Sequence, residues 1–248
     1  MLTEARHQYI IDQLQINTMV TVQALVNHLD VSESTIRRDL SLLEDEGQLI
    51  RVHGGAKRHY VLDKEPSFQE KATIHQDEKL AIARYGASLV NKGETIFIDA
   101  GTTTLAMIEF IQAEPALVVT NGIEQAALLI DKGFETLILG GKLKAGTKAI
   151  VGTTAFQQLK QYRFQKAFIG MNGIDVEYGL TTPDPEESAI KALMIQQANL
   201  AFVLADGSKF GKVSFSKVAN IDDAHIITNQ LAPIYHEHYQ AYTTIKEI

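Results

Sequence analysis

Five short segments of this chain combine glycine with small polar or charged residues. They are Asp99-Ala100-Gly101-Thr102-Thr103-Thr104, Thr120-Asn121-Gly122, Gly140-Gly141-Lys142, Gly170-Met171-Asn172-Gly173 and Asp206-Gly207-Ser208-Lys209. Each follows a short apolar, β-rich run, so each reads as the turn that leaves a strand. Glycine lets a backbone approach a ligand closely, and unpaired N–H groups at the start of a helix attract anions. Gly101-Thr102-Thr103-Thr104 is such a start, with three hydroxyls beside its amides, and Leu105, Ile108 and Ile111 continue it as a helix. Lys209 and Lys142 could add charge to a bound phosphate group. One turn of this kind is ordinary strand-ending and helix-capping. Five of them, after five separate strands, point to a shared pocket, because ligands of open α/β sheets bind outside the carboxyl ends of the strands.

A second set of residues suits nucleic acid. Ser32 caps a helix whose inner face carries Ile36, Leu40 and Leu43, which puts Ser34, Arg38 and Ser41 on the opposite side and Arg37 on a flank. Arg37 and Arg38 can contact guanine edges or phosphates, while Ser32, Ser34 and Thr35 can serve a phosphate through their hydroxyls or the helix N-terminus. Arg51, His53, Lys57 and Arg58 lie in residues 51–60, which hold no acid and suit a wing resting on the sugar–phosphate backbone. Residues 1–58 hold six Lys and Arg against eight Asp and Glu, so this part is not basic as a whole. Glu44, Asp45 and Glu46 nevertheless gather at the end of the helix far from Ser32, and it is the distribution of charge that decides groove binding. A protein-interaction module with solvated arginines is the plainer alternative.

These residues need elements to hold them. His7, Ile10, Ile11 and Leu14 recur at helical spacing after Thr3, and Val22, Leu25, Val26 and Leu29 do so after Thr21. With the Ser32 helix they make three helices, and residues 48–52 with a strand beyond Gly54-Gly55 make a β-wing, the geometry that lowers a recognition helix into the major groove. Residues 58–76 are polar, contain Pro66 and show no clean period, so they read as a linker between residues 1–57 and 77–248. A helix from about Asp77 to Val90 follows, with Leu80, Ala83, Ala87 and Val90 on one face. Then apolar runs at 95–98, 117–120, 136–139, 167–169, 201–204 and 225–228 alternate with helical stretches, as in a mostly parallel sheet buried on both faces. The expected fold class is α/β, with a winged helix-turn-helix ahead of it.

Composition narrows the function further. The chain has 248 residues, no cysteine and a formal charge of −7. Disulfide scaffolds, thiolate catalysis and Cys-ligated zinc are excluded, and a reducing cytoplasm is compatible. No apolar stretch reaches the length of a membrane span and the start lacks the layout of a signal peptide, so a cytoplasmic protein without a membrane partner is expected. Gly141 to Lys148 approaches a P-loop but places Thr147 before Lys148, the reverse of what phosphate and magnesium require. Glu187 and Lys191 stand one helical turn apart, which alone describes a surface ion pair. His236 and His238 could share one face of a strand near the C-terminus, where such pairs are usually solvated; no metal and no cofactor are expected.

Ser34-Thr35-Ile36-Arg37-Arg38-Asp39-Leu40, followed by Glu44, Gly47 and Arg51-Val52-His53-Gly54-Gly55-Ala56, resembles the signature of the DeoR family of bacterial transcriptional repressors. The likeness extends through Asp99-Ala100-Gly101-Thr102-Thr103, Thr120-Asn121, Gly140-Gly141, Gly152, Gly170 to Asp175, Lys191 and Asp206 to Lys209, and so covers nearly the whole chain; Gly122 stands where many relatives have Ser. It implies a winged helix-turn-helix that binds operator double-stranded DNA as a homo-oligomer, dimer or tetramer. It also implies a C-terminal domain, similar in fold to ribose-5-phosphate isomerase, that senses a phosphorylated sugar. In that frame Gly101, Thr102, Thr103, Thr104, Gly140, Gly141, Gly170, Asn172, Gly173 and Lys209 belong to the effector pocket, and Asp99, Asn121, Asp175 and Asp206 offer acceptors for sugar hydroxyls. The helix of Glu186, Glu187 and Lys191 lies beside that pocket in the family, so these side chains face either the sugar or solvent. Residues 167–175 and 180–187 are similar to the branch of fructose-operon repressors, whose inducer is fructose 1-phosphate. An isomerase-type enzyme using Asp99, Asp206, Glu187 and Lys209 as acid–base groups is the second reading; the fused DNA-binding head argues against it.

Overall fold

The computed structural model describes residues 2–60 and 66–248. They divide into two compact units, Met1–Val61 and Leu62–Ile248, referred to below as the head and the body.

In the head, α1 (Thr3–Asn17), α2 (Val22–Leu29) and α3 (Glu33–Asp45) enclose a core of Ile10, Leu14, Leu25, Ile36, Leu40, Leu43 and Leu49. Thr21 caps α2 by accepting from the Ala24 amide at 3.2 Å, and Ser32 caps α3 by accepting from the Thr35 amide at 3.2 Å. The wing has three strands where the sequence indicates two: β1 (Met19–Thr21), β2 (Leu49–Val52) and β3 (Gly55–Arg58) pair antiparallel in the order β1-β3-β2. With β3 in the centre, Lys57 points outward and Arg58 inward.

The body opens with α4 (Phe68–Thr73), which lies inside the stretch expected to be a linker. Residues 66–76 are therefore not a linker: a capping box between Ser67 and Glu70 starts a helix there without an apolar period. After α5 (Gln76–Ser88) come β4 (Thr95–Ile98), α6 (Thr102–Ile108), β5 (Leu117–Thr120), α7 (Ile123–Asp131) and β6 (Thr136–Ile138). β7 (Lys142–Leu143) and β8 (Ile150–Val151) pair with each other, and α8 (Thr153–Leu159) leads to β9 (Phe164–Gly170). The remaining elements are β10 (Gly173–Asp175), β11 (Gly179–Thr182), α9 (Pro185–Gln197), β12 (Ala198–Leu204), β13 (Ser216–Ala219), β14 (His225–Thr228), α10 (Pro233–Gln240) and β15 (Ile245–Glu247).

Seven strands form one parallel sheet in the order β15-β14-β12-β9-β4-β5-β6. Neighbouring strand residues serve opposite faces, as the two-residue period requires. Ile96, Ile98, Phe168 and Leu204 pack with α5, α6 and α7 on one side, while Phe97, Ala167, Ile169 and Val203 pack with α8, α9 and α10 on the other. The chain runs outward from β4 through β5 to β6, then returns to the other side of β4 and runs outward again through β9, β12, β14 and β15. The topological switch point thus lies between the carboxyl ends of β4 and β9, at Asp99 and Gly170, where this class of sheet leaves a crevice.

Two smaller expectations change. Leu80 is exposed, and Lys79, Ile82, Ala83, Gly86 and Ala87 are the buried residues of α5. His236 and His238 sit on α10, not on a strand; Pro233 at its first turn is a good helix starter. His236 pairs with Glu247, and among the described residues no group of His, Asp and Glu is arranged to hold a metal.

Candidate functional site

The α3 surface carries the predicted DNA contacts. Ser32, Ser34, Arg37, Arg38, Arg51, His53 and Lys57 are exposed and Thr35 is partly so. The Ser32 hydroxyl lies 2.9 Å from that of Ser34 and 2.8 Å from that of Thr35, a hydroxyl cluster at the positive end of the helix. Arg37 is paired along the helix with Glu33. Arg51 donates to the Ser41 hydroxyl at 2.7 Å, so wing and helix present their polar groups together. Arg58 is the exception. It is 8 % exposed, sits 4.8 Å over the Tyr60 ring and donates to the Gln15 carbonyl. The third wing strand turns it into the head, so it is withdrawn from the phosphate contacts.

One pair behind this surface was not singled out from the sequence. The Arg6 guanidinium meets the Asp39 carboxylate in a fork, 2.8 Å from Nε to Oδ2 and 2.9 Å from Nη2 to Oδ1, with His7 Nε2 3.2 Å from Oδ1. Arg6 and Asp39 are both buried. Burial pushes the Asp39 carboxyl up, but the hydrogen bonds and charges of Arg6 and His7 outweigh it and hold the group below its ordinary value. The pair bolts α1 to α3 at the residue next to Arg38. Arg38 itself has the exposure a base or phosphate contact needs. Arg38→Ala is expected to weaken binding of specific DNA by about 1–3 kcal/mol if it reads a base, with specificity relaxed at one position, or to lower the salt slope by about one if it holds a phosphate. Affinities measured across a salt series distinguish the two.

In the body, a cavity lies at the switch point. The segments after β4, β9 and β12 meet in it: Asp99, Gly101, Thr102 and Thr103 from the first, Gly170 and Asn172 from the second, Asp206 and Lys209 from the third. Glu187 and Lys191 of α9 face it too, both buried. The Lys191 ammonium pairs with Asp99 and donates to the Gly170 carbonyl at 3.0 Å, and Gly170 N–H donates back to Asp99 at 3.0 Å. Glu187 accepts from Lys144 and from the Thr147 hydroxyl, each at 2.7 Å. Burial pushes the Glu187 carboxyl up, yet the Lys191 charge and these two hydrogen bonds hold it below its ordinary value. Asp206 behaves likewise: burial is outweighed by the Lys209 charge and the Ser208 bonds. Three polar lining residues were not expected from the sequence, namely Lys71, Lys79 and Thr147.

Two of the five turns stay outside. Gly140 donates to the Gln158 side chain at 2.7 Å and Gly141 lies so close to the Val151 carbonyl that a Cβ would come within 2.6 Å of it. Both are packing requirements of the sheet edge. Asn121 supports the first loop from behind, accepting from the Ala100 amide at 3.0 Å and donating to the Ile150 carbonyl. The Thr104 hydroxyl is spent within its own turn, on the Asp99 carbonyl and the Gly101 amide. Gly173 is packed against Thr181 and the Lys212 carbonyl, where a Cβ would come within 2.4 Å and 2.5 Å. Asp175 caps the turn of Glu177 and Tyr178 through their amides. None of these six residues lines the cavity.

Chemically, the cavity favours binding over proton transfer. A carboxylate base working near neutral pH needs its pKa raised, whereas Glu187 and Asp206 are held the other way. Among the described residues lining it are four lysines and three acids, and the first-turn amides of α6 have no intrahelical acceptor. Such a site suits a compact anion with hydroxyl groups.

A winged helix with an exposed arginine face, carried on an α/β body with a cation-rich crevice, is the arrangement of a DNA-binding regulator. Residues 6–60 match the family model described as the DeoR-like helix-turn-helix domain, and residues 74–230 match the DeoR C terminal sensor domain. The chain belongs to the DeoR family of transcriptional regulators. It is 47 % identical to the uncharacterized HTH-type transcriptional regulator FruR of Bacillus subtilis (strain 168), over 100 % of this chain and 99 % of that protein. It is 34 % identical to the lactose phosphotransferase system repressor of Lactococcus lactis subsp. lactis, over 97 % and 96 %. Among solved structures, ribose 5-phosphate isomerase A from Methanocaldococcus jannaschii matches 54 % of each chain at 19 % identity, with a TM-score of 0.40. Among the described residues, no helix is long and apolar enough to cross a membrane.

Proposed function

We propose that this protein is a repressor of a sugar-utilisation operon, held on operator DNA as a homo-oligomer and released by a phosphorylated sugar. The observation that carries the reading is the cavity itself. Lys71, Lys79, Lys191 and Lys209 converge on it against Asp99, Glu187 and Asp206, so it is net positive and matched to a phosphate, with carboxylates left for hydroxyls. Repression is supported by relatives named as repressors across nearly their whole length. Oligomerisation is supported by the smallness of the head, since one recognition helix makes few phosphate contacts and paired heads gain effective concentration.

Fructose 1-phosphate is the best single candidate, on the likeness of residues 167–175 and 180–187 to fructose-operon repressors. The effector must bind the DNA-free arrangement better than the DNA-bound one; a hundredfold loss of DNA affinity corresponds to roughly 2.7 kcal/mol of differential binding. At a ligand concentration one hundred times Kd, the native protein gains about 2.7 kcal/mol of stability, which appears as a raised Tm. A thermal-shift panel of hexose and pentose phosphates, followed by DNA release with the best binder, tests the reading. Stabilisation by another hexose phosphate and not by fructose 1-phosphate overturns the choice of sugar; stabilisation by none overturns the effector.

A further inference from the structure

α4 is an unusual element. None of its six residues is buried, and a helix so short has little stability of its own. Its position depends on ties to the rest of the body, and two of those ties lead to the cavity. At the start of the helix, the Phe68 amide donates to the Gly146 carbonyl at 2.9 Å, with the Lys148 ammonium 5.8 Å from the Phe68 ring centre. Gly146 adjoins Thr147, which lines the cavity and donates to Glu187. At the end of the helix, the Lys79 ammonium donates to the Lys71 carbonyl. Lys79 is a buried cation that also lines the cavity, and among the described residues no carboxylate lies within ion-pair distance of it. Between α4 and α5 stands His75 with φ +53°, a left-handed residue that breaks the helical path between the two. α4 is therefore a short arm, latched at one end by two cavity residues, Lys71 and Lys79, and at the other through Gly146, the neighbour of the cavity residue Thr147. In the sequence it is also the first described element after Tyr60, the last described residue of the head.

A phosphate entering the cavity competes directly for the Lys79 latch. A bond from an ammonium to a phosphate oxygen is charge-assisted on both sides, whereas the bond to Lys71 is charged on one side only. Burial makes the exchange more decisive, because a cation in low dielectric gains more from an opposite charge than it would in water. Lys209 and Asp206 flank the same space, so the ligand also resets the charges around the arm.

We propose that α4 is the relay from the cavity to the head: an anionic ligand draws the Lys79 ammonium away from the Lys71 carbonyl and shifts the Gly146-Thr147 turn, so that α4 comes off the body. This rests on the effector reading above and adds how binding reaches the DNA-binding half of the chain.

The latch can be locked. The chain has no cysteine, so Phe68→Cys with Gly146→Cys supplies the only two thiols. Their backbones are hydrogen-bonded neighbours, and a Cβ at Gly146 meets no clash. The Phe68 Cβ lies beyond 4 Å from it, toward the long end of disulfide spacing, so formation of the bond is first verified by mass and thiol titration. The full-length double variant is tested oxidised and reduced, with fructose 1-phosphate as probe and a DNA duplex selected on the wild-type chain. Both forms are expected to gain stability from the sugar. The reduced form loses DNA affinity by about tenfold or more, while the oxidised form keeps its affinity. In the reduced form, amides 68–75 exchange with solvent faster when the sugar is present. Release of DNA by the oxidised form, or slower exchange at 68–75, overturns the relay while leaving the effector reading intact. No stability gain in the reduced form from fructose 1-phosphate or other hexose phosphates overturns both together.

Discussion

Asp39→Ala abolishes DNA binding by unfolding the head, at a cost of about 3–5 kcal/mol, and leaves the body folded. The magnitude follows from what is left behind. Arg6 is 8 % exposed, and once Asp39 is gone its guanidinium is a buried charge without its fork partner, the costly half of a broken ion pair. Small domains carry only about 5–15 kcal/mol in total, so the loss removes much of the margin of a unit this size. The effect also falls on function, because Asp39 is the residue next to Arg38 and anchors the very helix that carries it. Circular dichroism melts of the full chain should show the head transition lowered or lost with the body transition unchanged, and a gel-shift titration should show no specific complex. The double variant Arg6→Met with Asp39→Leu, which removes both charges and fills the space, should recover most of the stability. Acid provides an independent check. Asp39 has a depressed folded pKa, so its contribution is complete above its unfolded value of about 3.9 and is lost as pH falls below that through the lower folded value. The wild-type head therefore weakens below about pH 4, and this contribution is absent from the double variant.

The Arg6–Asp39 pair was readable in the sequence from the side of α3 on which Asp39 falls. Asp39 lies three residues after Ile36 and next to Leu40, on the side of α3 that the apolar spacing marks as inner. A carboxylate there demands a partner, so the signal was present. Arg58 is different: its burial depends on β1, and Met19-Val20-Thr21 is too short to show a strand period. Six of the seven strands of the parallel sheet, β4, β5, β6, β9, β12 and β14, were legible because such strands leave short continuous apolar, β-rich runs. β15 was not, since Ile245-Lys246-Glu247 is an edge strand with polar neighbours.

In the cavity, turn chemistry located the loops after β4, β9 and β12 but not which groups in them face inward. Gly140 and Gly141 look like Gly170 in sequence; only the strand order, which puts β6 at the sheet edge and β4 beside β9, separates them. Lys79 carried a signal that Leu80 obscured. It stands three and four residues before Ile82 and Ala83, on the buried stripe of α5, where a lysine is out of place unless it serves a site. Lys71 had none, lying on a helix announced only by Ser67 and Glu70.

Lys191→Met is expected to be the most damaging change in the body, removing the ligand response and about 3–5 kcal/mol of stability together. Lys191 joins three elements, pairing with Asp99 at the end of β4, donating to Gly170 at the end of β9, and projecting from α9. Methionine keeps the length of the chain but takes away the charge, and the Asp99 carboxylate, 2 % exposed, keeps only the Gly170 amide of the two partners. The spacing from Glu187 to Lys191 alone described a surface pair worth little; burial of both side chains and the Asp99 partner reverse that judgement. Stability and sensing can be pulled apart by adding Asp99→Asn, which removes the orphaned charge. The double variant should melt close to the wild-type body, yet fructose 1-phosphate should no longer raise its Tm, because the cavity has lost a cation for the phosphate and an acceptor for a hydroxyl. If the double variant recovers the ligand response along with its stability, Lys191 and Asp99 hold the crevice open without touching what enters it.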